Sequence, residues 1–399
     1  MTIYGLPLDF AIFAMTLLGV ALFHHHALLV AIIGLLAASL LHILGGPSLL
    51  SDNAHELGIH FIGEWVILSN LLLLLLGFAV VANHFEDSNL PDLVPSRLPS
   101  GAPGGVVLLG LVFCLSTFLD NIAAAIVGGV LARRVYAGEV TIGFQAAIVS
   151  AANAGGAGSV IGDTTTTMMW ISGVGAVELL PAFIGGLVSF AVFAPIAATA
   201  QHKHSPILPR SKPDDRVDWT RAGVVLFALA TIVVANVVAN TFLPDHEDLV
   251  PVLGLSLWAA ILSSAPVRAP KWRILPEALK GATFLVTLVA LASLMPVDRL
   301  PEASPTTTLG LGFLSAVFDN IPLTALAINQ GGYDWALLAY AVGFGGSMVW
   351  FGSSAGVALT NLLPEGRSVI KWLRFGWFVP IAYVLGFIAQ VTVVTLFGG

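Results

Sequence analysis

The run LLLLLLGFAVV, Leu71 to Val81, contains no polar side chain. It is one of many unbroken apolar runs in the chain, and their length constrains the fold more than any other feature. A helix needs roughly 20 apolar residues to cross the hydrocarbon core of a bilayer. Outer-membrane strands alternate polar and apolar residues, so uninterrupted runs exclude a β-barrel. Across 399 residues, 57% are hydrophobic and 10% charged, against about 25% charged in a typical soluble domain. The mean hydropathy is +0.92. Soluble globular and disordered classes are both excluded, which leaves an all-α polytopic membrane protein.

Candidate spans cover residues 8–23, 27–44, 61–83, 141–171, 179–200, 222–243, 249–264, 281–296, 335–362 and 377–397. His24, His25 and His26 read as a short loop between the first two. The absence of Lys or Arg ahead of the first run predicts no cleaved leader. The single cysteine, Cys114, rules out an intramolecular disulfide.

Two further apolar segments, 104–132 and 306–330, decide the topology. Lys and Arg favour cytoplasmic loops. The basic residues cluster at Arg97, at Arg133–Arg134, from Lys203 to Arg221, from Arg268 to Lys280 and from Arg367 to Arg374. If both segments enter and leave on one side, every basic residue except Arg299 falls inside, and the acidic stretch Asp245, Glu247, Asp248 falls outside. If both cross, several basic residues are misplaced. The charges therefore predict two re-entrant hairpins, 104–132 from the cytoplasm and 306–330 from outside, with both termini extracytoplasmic.

The chain also repeats itself. Residues 115–122 read LSTFLDNI and residues 314–321 read LSAVFDNI; residues 155–164 read GGAGSVIGDT and residues 345–354 read GGSMVWFGSS. The two copies lie in segments entering from opposite sides, an inverted-topology repeat of the kind many secondary transporters use. The expected organisation is N-terminal scaffold helices over 1–60, a first repeat over 61–200, a polar cytoplasmic linker over 201–218, and a second repeat over 219–399.

Asp120, Asp163 and Asp319 fall inside these apolar motifs, with no Lys or Arg in the same segments. A charge at the bilayer centre costs at least about 2.5–3.5 kcal/mol on insertion scales, and such residues mark ion or proton paths. Asp120-Asn121 and Asp319-Asn320 should sit at the hairpin tips, where backbone groups lose their helical partners; Pro322 suits the first turn of the helix that follows. Either aspartate also serves as a plain helix N-cap. In Asn153–Thr167, the glycines Gly155, Gly156 and Gly158 break the helix, Gly162 and Asp163 follow, and then Thr164, Thr165, Thr166 and Thr167. Carboxylate, hydroxyls and freed carbonyls make a hard-oxygen site suited to a hard cation. Thr166 and Thr167 can instead bond back to their own backbone. In the second copy Gly345, Gly346 and Gly352 break the helix, while Ser353 and Ser354 keep hydroxyls but not the carboxylate. The site should be asymmetric in charge, with a Na⁺ position near Asp120, Asp163 and Asp319. Glu64 and Asn70 are weaker pathway candidates, and Asn236, Asn240 and Asn329 should bond across helices.

LDNI in a hairpin followed by GGAGSVIGDTTTTMMW resembles the NhaD-type sodium/proton antiporters of the ion transporter superfamily, relatives of citrate and other divalent-anion symporters. FDNIPL and GSSAGV in the second half fit the same pattern. The resemblance spans roughly residues 60–395 and implies an elevator-type transporter, often a homodimer, with scaffold helices and a mobile domain carrying both hairpins. It assigns function to Asp120, Asn121, Asn153, Asp163, Thr165, Thr166, Asp319, Ser353 and Ser354. The implied activity is Na⁺ or Li⁺ exchange for protons in a bacterial inner membrane, with no cofactor and no nucleic acid; the alternative is Na⁺- or H⁺-coupled symport of citrate or another organic anion. No metal-ligand cluster, nucleophile–base pair or P-loop supports an enzyme or an ATP-driven pump.

Overall fold

The computed structural model describes residues 2–3, 6–23, 26–45, 50–90, 98–207, 216–242 and 250–397. Arg97, Arg210, Lys212, His24, His25 and the acidic stretch at 245–248 lie outside them, as do the side chains of Asn236 and Asn240. A two-residue antiparallel pair, β1 (Thr2–Ile3) and β2 (Leu6–Pro7), precedes an otherwise helical chain.

The helices run α1 (Leu8–Leu22), α2 (Ala27–Gly45), α3 (Leu50–Glu86), α4 (Ala102–Ser116), α5 (Asn121–Val135), α6 (Ile142–Gly156), α7 (Thr164–Ile171), α8 (Ala176–Leu179) and α9 (Ala182–His204). They continue with α10 (Trp219–Phe242), α11 (Val252–Ser264), α12 (Leu275–Ser293), α13 (Pro305–Ser315), α14 (Asn320–Gln330), α15 (Trp335–Gly345), α16 (Ser354–Leu362), α17 (Val369–Phe375) and α18 (Phe378–Phe397). Among the described residues, five helical stretches are long and apolar enough to cross a membrane: 27–45, 51–86, 176–204, 272–293 and 378–396. The chain is a multi-pass, all-helical membrane protein.

Two differences from the sequence reading stand out. The span expected at 61–83 is the middle of α3, whose 37 residues extend about 56 Å at 1.5 Å per residue. Its first turns, SDNAHELGIHFIGEW, are too polar for an apolar window to find, and the expected repeat boundary at residue 61 falls inside this continuous helix. The runs 141–171 and 335–362 are each interrupted, as their glycines predict, between α6 and α7 and between α15 and α16. The expected linker at 201–218 begins inside the last turn of α9.

The chain forms two compact units, each drawing on both halves of the sequence. The first comprises residues 1–81, 224–302 and 321–331. Small residues and isolated polar bonds pack its helices. Asn70 accepts from the Gly254 backbone N–H at 3.0 Å, and Trp258 Nε1 donates to the Leu73 carbonyl at 2.9 Å, fastening α11 to α3. Asn70 is thus a helix-interface residue. His60 bonds the Ser293 hydroxyl at 2.9 Å, and Asn329 reaches the Ala292 carbonyl at 3.5 Å, a bond across helices as expected.

The second unit comprises residues 82–223, 303–320 and 332–399. Here α4 packs on α5, α6 and α9, and α13 packs on α15. From Gly143 onward α6 is buried on every side, and many of its residues are small, including Ala146, Ala147, Ala151, Ala152 and Ala154. Small side chains allow close helix approach where lipid provides no hydrophobic drive. Tyr340 of α15 donates to the Tyr383 carbonyl at 2.8 Å and shares a bond with the Ser189 hydroxyl at 2.6 Å, joining α15, α18 and α9.

Candidate functional site

The second unit contains both helix breaks and both aspartate-bearing tips. Each break is built the same way. Gly155 lies against the Phe113 carbonyl and Gly345 against the Gly312 carbonyl, so closely that a side chain at either glycine would collide with backbone. Immediately after, a Cβ on Gly156 would fall 2.5 Å from the Gly162 carbonyl oxygen, and one on Gly346 would fall 2.6 Å from that of Gly352. Glycine is required because the chain folds back on itself and on the preceding hairpin limb. Serines anchor the arrangement: Ser116 Oγ donates to the Gly162 carbonyl at 3.4 Å, Ser159 Oγ to the Thr117 carbonyl at 2.7 Å, and Ser315 Oγ to the Val342 carbonyl at 2.7 Å.

Each helix then restarts on a capping side chain. Asp163 (φ −144°, ψ 141°) caps α7, with Oδ1 accepting from the Thr165 N–H at 3.1 Å. Ser353 (φ −143°, ψ 152°) caps α16, with Oγ accepting from the Gly356 N–H at 3.3 Å. The two caps have almost the same backbone conformation, yet one carries a carboxylate and the other a hydroxyl. Asp120 likewise caps α5, accepting from the Ile122 N–H at 3.4 Å. N-capping is therefore part of what Asp120 and Asp163 do.

A buried network joins these pieces. Asn153, fully buried near the end of α6, accepts from Asn121 Nδ2 at 3.1 Å. Its own Nδ2 donates to Ser347 Oγ at 2.9 Å and to Ser353 Oγ at 3.1 Å. Ser354 Oγ donates to Asp319 Oδ2 at 3.2 Å. The first tip, the end of α6, the second break and the Asp319 tip are thus tied by side-chain bonds. Asp163 feels the charges of both Asp120 and Asp319, so the three carboxylates share one electrostatic neighbourhood.

Asp163 is only 1% exposed, and its Oδ2 makes no hydrogen bond. The buried Thr165 hydroxyl lies beside this carboxylate, outside hydrogen-bond geometry. A buried carboxylate oxygen without a donor is costly unless a cation or a proton joins it. These residues suit a small hard cation that competes with a proton.

Thr164, next to the Asp163 cap, and Asn320 are both buried. The Thr166 hydroxyl donates to the Ser159 and Asp163 carbonyls at 2.6 and 2.8 Å, and that of Thr167 donates to Val160 and Asp163 at 2.8 and 3.0 Å. Both threonines thus close the break, the backbone role that a threonine run allows. Pro322 lies in the first turn of α14, within the other unit. Two positions went unmarked in the sequence. Ser347 stands inside the repeated string GGSMVWFGSS and differs there from Ala157; Gly343 stands 190 residues after Asn153, in register with it.

No protein-family model matches the chain. It is similar to sodium/proton antiporter 1 of Arabidopsis thaliana, 32% identical over 336 residues, which cover 74% of this chain and 57% of that protein. It is similar to the Na⁺/H⁺ antiporter NhaD of Vibrio parahaemolyticus, 27% identical over 390 residues, covering 82% and 90% of the two chains. The NhaD of Alkalimonas amylolytica is 26% identical over 335 residues, covering 71% and 67%. The matched region thus spans little more than half of the Arabidopsis protein and most of the Vibrio one. The chain is thus similar, over most of its length, to the NhaD-type sodium/proton antiporters.

Proposed function

We propose that the protein is a secondary transporter that exchanges Na⁺ or Li⁺ for protons at the carboxylates of the second unit. The observation that carries this reading is the half-satisfied Asp163: one carboxylate oxygen is engaged at the start of α7, and the other is buried without a donor. A cation and a proton compete for that oxygen. If only the loaded forms cross between the two faces of the membrane, competition at one site is enough for exchange. The names of the relatives, sodium/proton antiporters, support the same reading. A citrate or other organic-anion symporter is less well supported, because an anion site needs positive partners and three carboxylates converge here instead.

The transport cycle we infer is of the elevator type. The second unit, with both breaks, moves as the carrier together with α14, the second limb of the α13–α14 hairpin, and the remainder of the first unit serves as scaffold, in a homodimer as the family resemblance implies. The segments α4–α5 and α13–α14 act as re-entrant hairpins. In support, each limb of the first has 15 residues, about 22 Å of helix, short of a core of about 30 Å. A bacterial inner membrane is the expected setting, in line with the bacterial relatives.

The test is transport in everted vesicles with a pH-sensitive dye. Na⁺ or Li⁺ should dissipate an imposed proton gradient, and Asp163→Asn should abolish the response. Citrate uptake coupled to Na⁺ or H⁺, with no response to Na⁺ alone, would establish the symporter instead.

A further inference from the structure

We infer that the two helix breaks are inequivalent ion sites: the first takes the cation beside Asp163, in room set by Gly343, while the Asn153 amide fills the corresponding place in the second. This rests on the cation-exchange reading above and specifies where the cation sits and what sizes its site.

The repeat supplies the comparison. In the register that pairs Gly155 with Gly345 and Asp163 with Ser353, Asn153 corresponds to Gly343 and Ala157 to Ser347. The structure obeys this correspondence. From α6, Asn153 faces Ser353 and Ser347. From α15, Gly343 faces the partners of that pair: a Cβ built on it would lie 3.2 Å from Asp163 Oδ2 and 3.8 Å from Ala157 Cβ. The same three positions thus meet at each break, with different chemistry.

At the second break the three positions satisfy one another. Both Asn153 N–H groups are donated, one to each serine, and Ser353 Oγ also accepts from the Gly356 N–H. A hydroxyl oxygen has two acceptor sites, so Ser353 has no lone pair left for a metal ion. The amide hydrogens bring partial positive charge to the place a cation would take. The cap of α16 is a hydroxyl rather than a carboxylate, and the nearby Asp319 is engaged by Ser354 in the first turn of that helix.

At the first break the corresponding residues are Gly343, Ala157 and Asp163. Two have no polar group, and the third presents a buried oxygen without a donor. Position 343, whose counterpart is Asn153, carries no side chain, and a Cβ there would lie 3.2 Å from Asp163 Oδ2, a carboxylate where the other copy has the Ser353 hydroxyl. A methyl group there would stand closer to Oδ2 than carbon and oxygen ordinarily pack. Gly343 therefore acts as the size-determining wall of the cation site.

The experiment is equilibrium binding of radioactive Na⁺ to the purified full chain at alkaline pH, with Li⁺ as competitor, on the parent and on Gly343→Ala. The parent should bind one Na⁺ per chain. Gly343→Ala should weaken Na⁺ about tenfold or more and Li⁺, the smaller ion, less, so that preference shifts toward Li⁺. A variant that only perturbs folding would lose both ions in parallel. Two Na⁺ per chain in the parent overturns the inference, as does a folded Gly343→Ala with unchanged Na⁺ affinity and unchanged Li⁺ preference. The parent's ion count decides the matter even if the variant does not fold. A parent that binds neither ion overturns the antiport reading itself, an outcome distinct from a parent that binds and a variant that is indifferent.

Discussion

Asn153 Nδ2 donates to Ser353 Oγ at 3.1 Å across 200 residues of sequence, so the end of one broken helix in the first repeat holds the start of its counterpart in the second. The same amide group accepts from Asn121 at the tip between α4 and α5 and donates to Ser347. One side chain thereby links a hairpin tip to both helix breaks.

Asn153→Ala should be expensive. It removes three buried hydrogen bonds and leaves the Asn121 amide without its acceptor, at roughly 1–3 kcal/mol for each orphaned buried group. The melting temperature of the purified protein should fall by several degrees, and transport should be lost with it. A melting curve matching the parent's would show that the amide does not hold the centre together.

Asp163→Asn should separate folding from transport. Asparagine caps a helix about as well as aspartate, and α7 still receives its bond to the Thr165 N–H. Thermal stability without Na⁺ should be retained or raised, because an uncompensated buried charge is removed. Na⁺-dependent dye recovery in vesicles should vanish. Persistent recovery would place the transported charge on another carboxylate.

Competition between Na⁺ and H⁺ at one carboxylate sets the sign of the pH dependence. Protonation removes the charge that holds the cation. Apparent Na⁺ affinity should therefore fall as pH falls, by at most about tenfold per pH unit for one exchanged proton. A binding isotherm repeated at several pH values checks this; pH-independent Na⁺ affinity would exclude shared occupancy.

Gly345→Val should disable the fold. Gly345 lies against the Gly312 carbonyl, and a branched side chain there must push α13 and α15 apart. Overpacking of this kind costs about 1–3 kcal/mol or more. Reduced yield of monodisperse protein in detergent is the expected result, with Gly310→Val, which meets open space, as the tolerant control.

The re-entrant reading of α4–α5 has its own test. Cysteines placed by Arg97→Cys and Arg134→Cys, in a Cys114→Ser background, should react with an impermeant maleimide from the same side of the membrane. Reaction from opposite sides would mean that the segment crosses.

Much of this could be read along the chain because local chemistry carried it. Apolar runs marked the helices, and the paired glycines of 155–156 and 345–346 marked both breaks, since only a run of small residues ends a buried helix where two backbones meet. Aspartates inside apolar motifs stood out for the cost of burying a charge. The length of α3 was not legible, because its first turns are polar.

Sequence alone also determined the repeat and its asymmetry: a carboxylate at 163 answered by a hydroxyl at 353. It did not assign Asn153 its partners or Gly343 its place opposite Asp163. Those contacts join residues about 180 to 200 positions apart, and neither a glycine nor an asparagine announces which side chain it will face. Only the tertiary structure decided that, by packing α6 and α15 so that each presents position 153 or 343 to the other repeat's helix cap. In one case an amide satisfies the cap; in the other an absent side chain leaves a buried charge open to an ion.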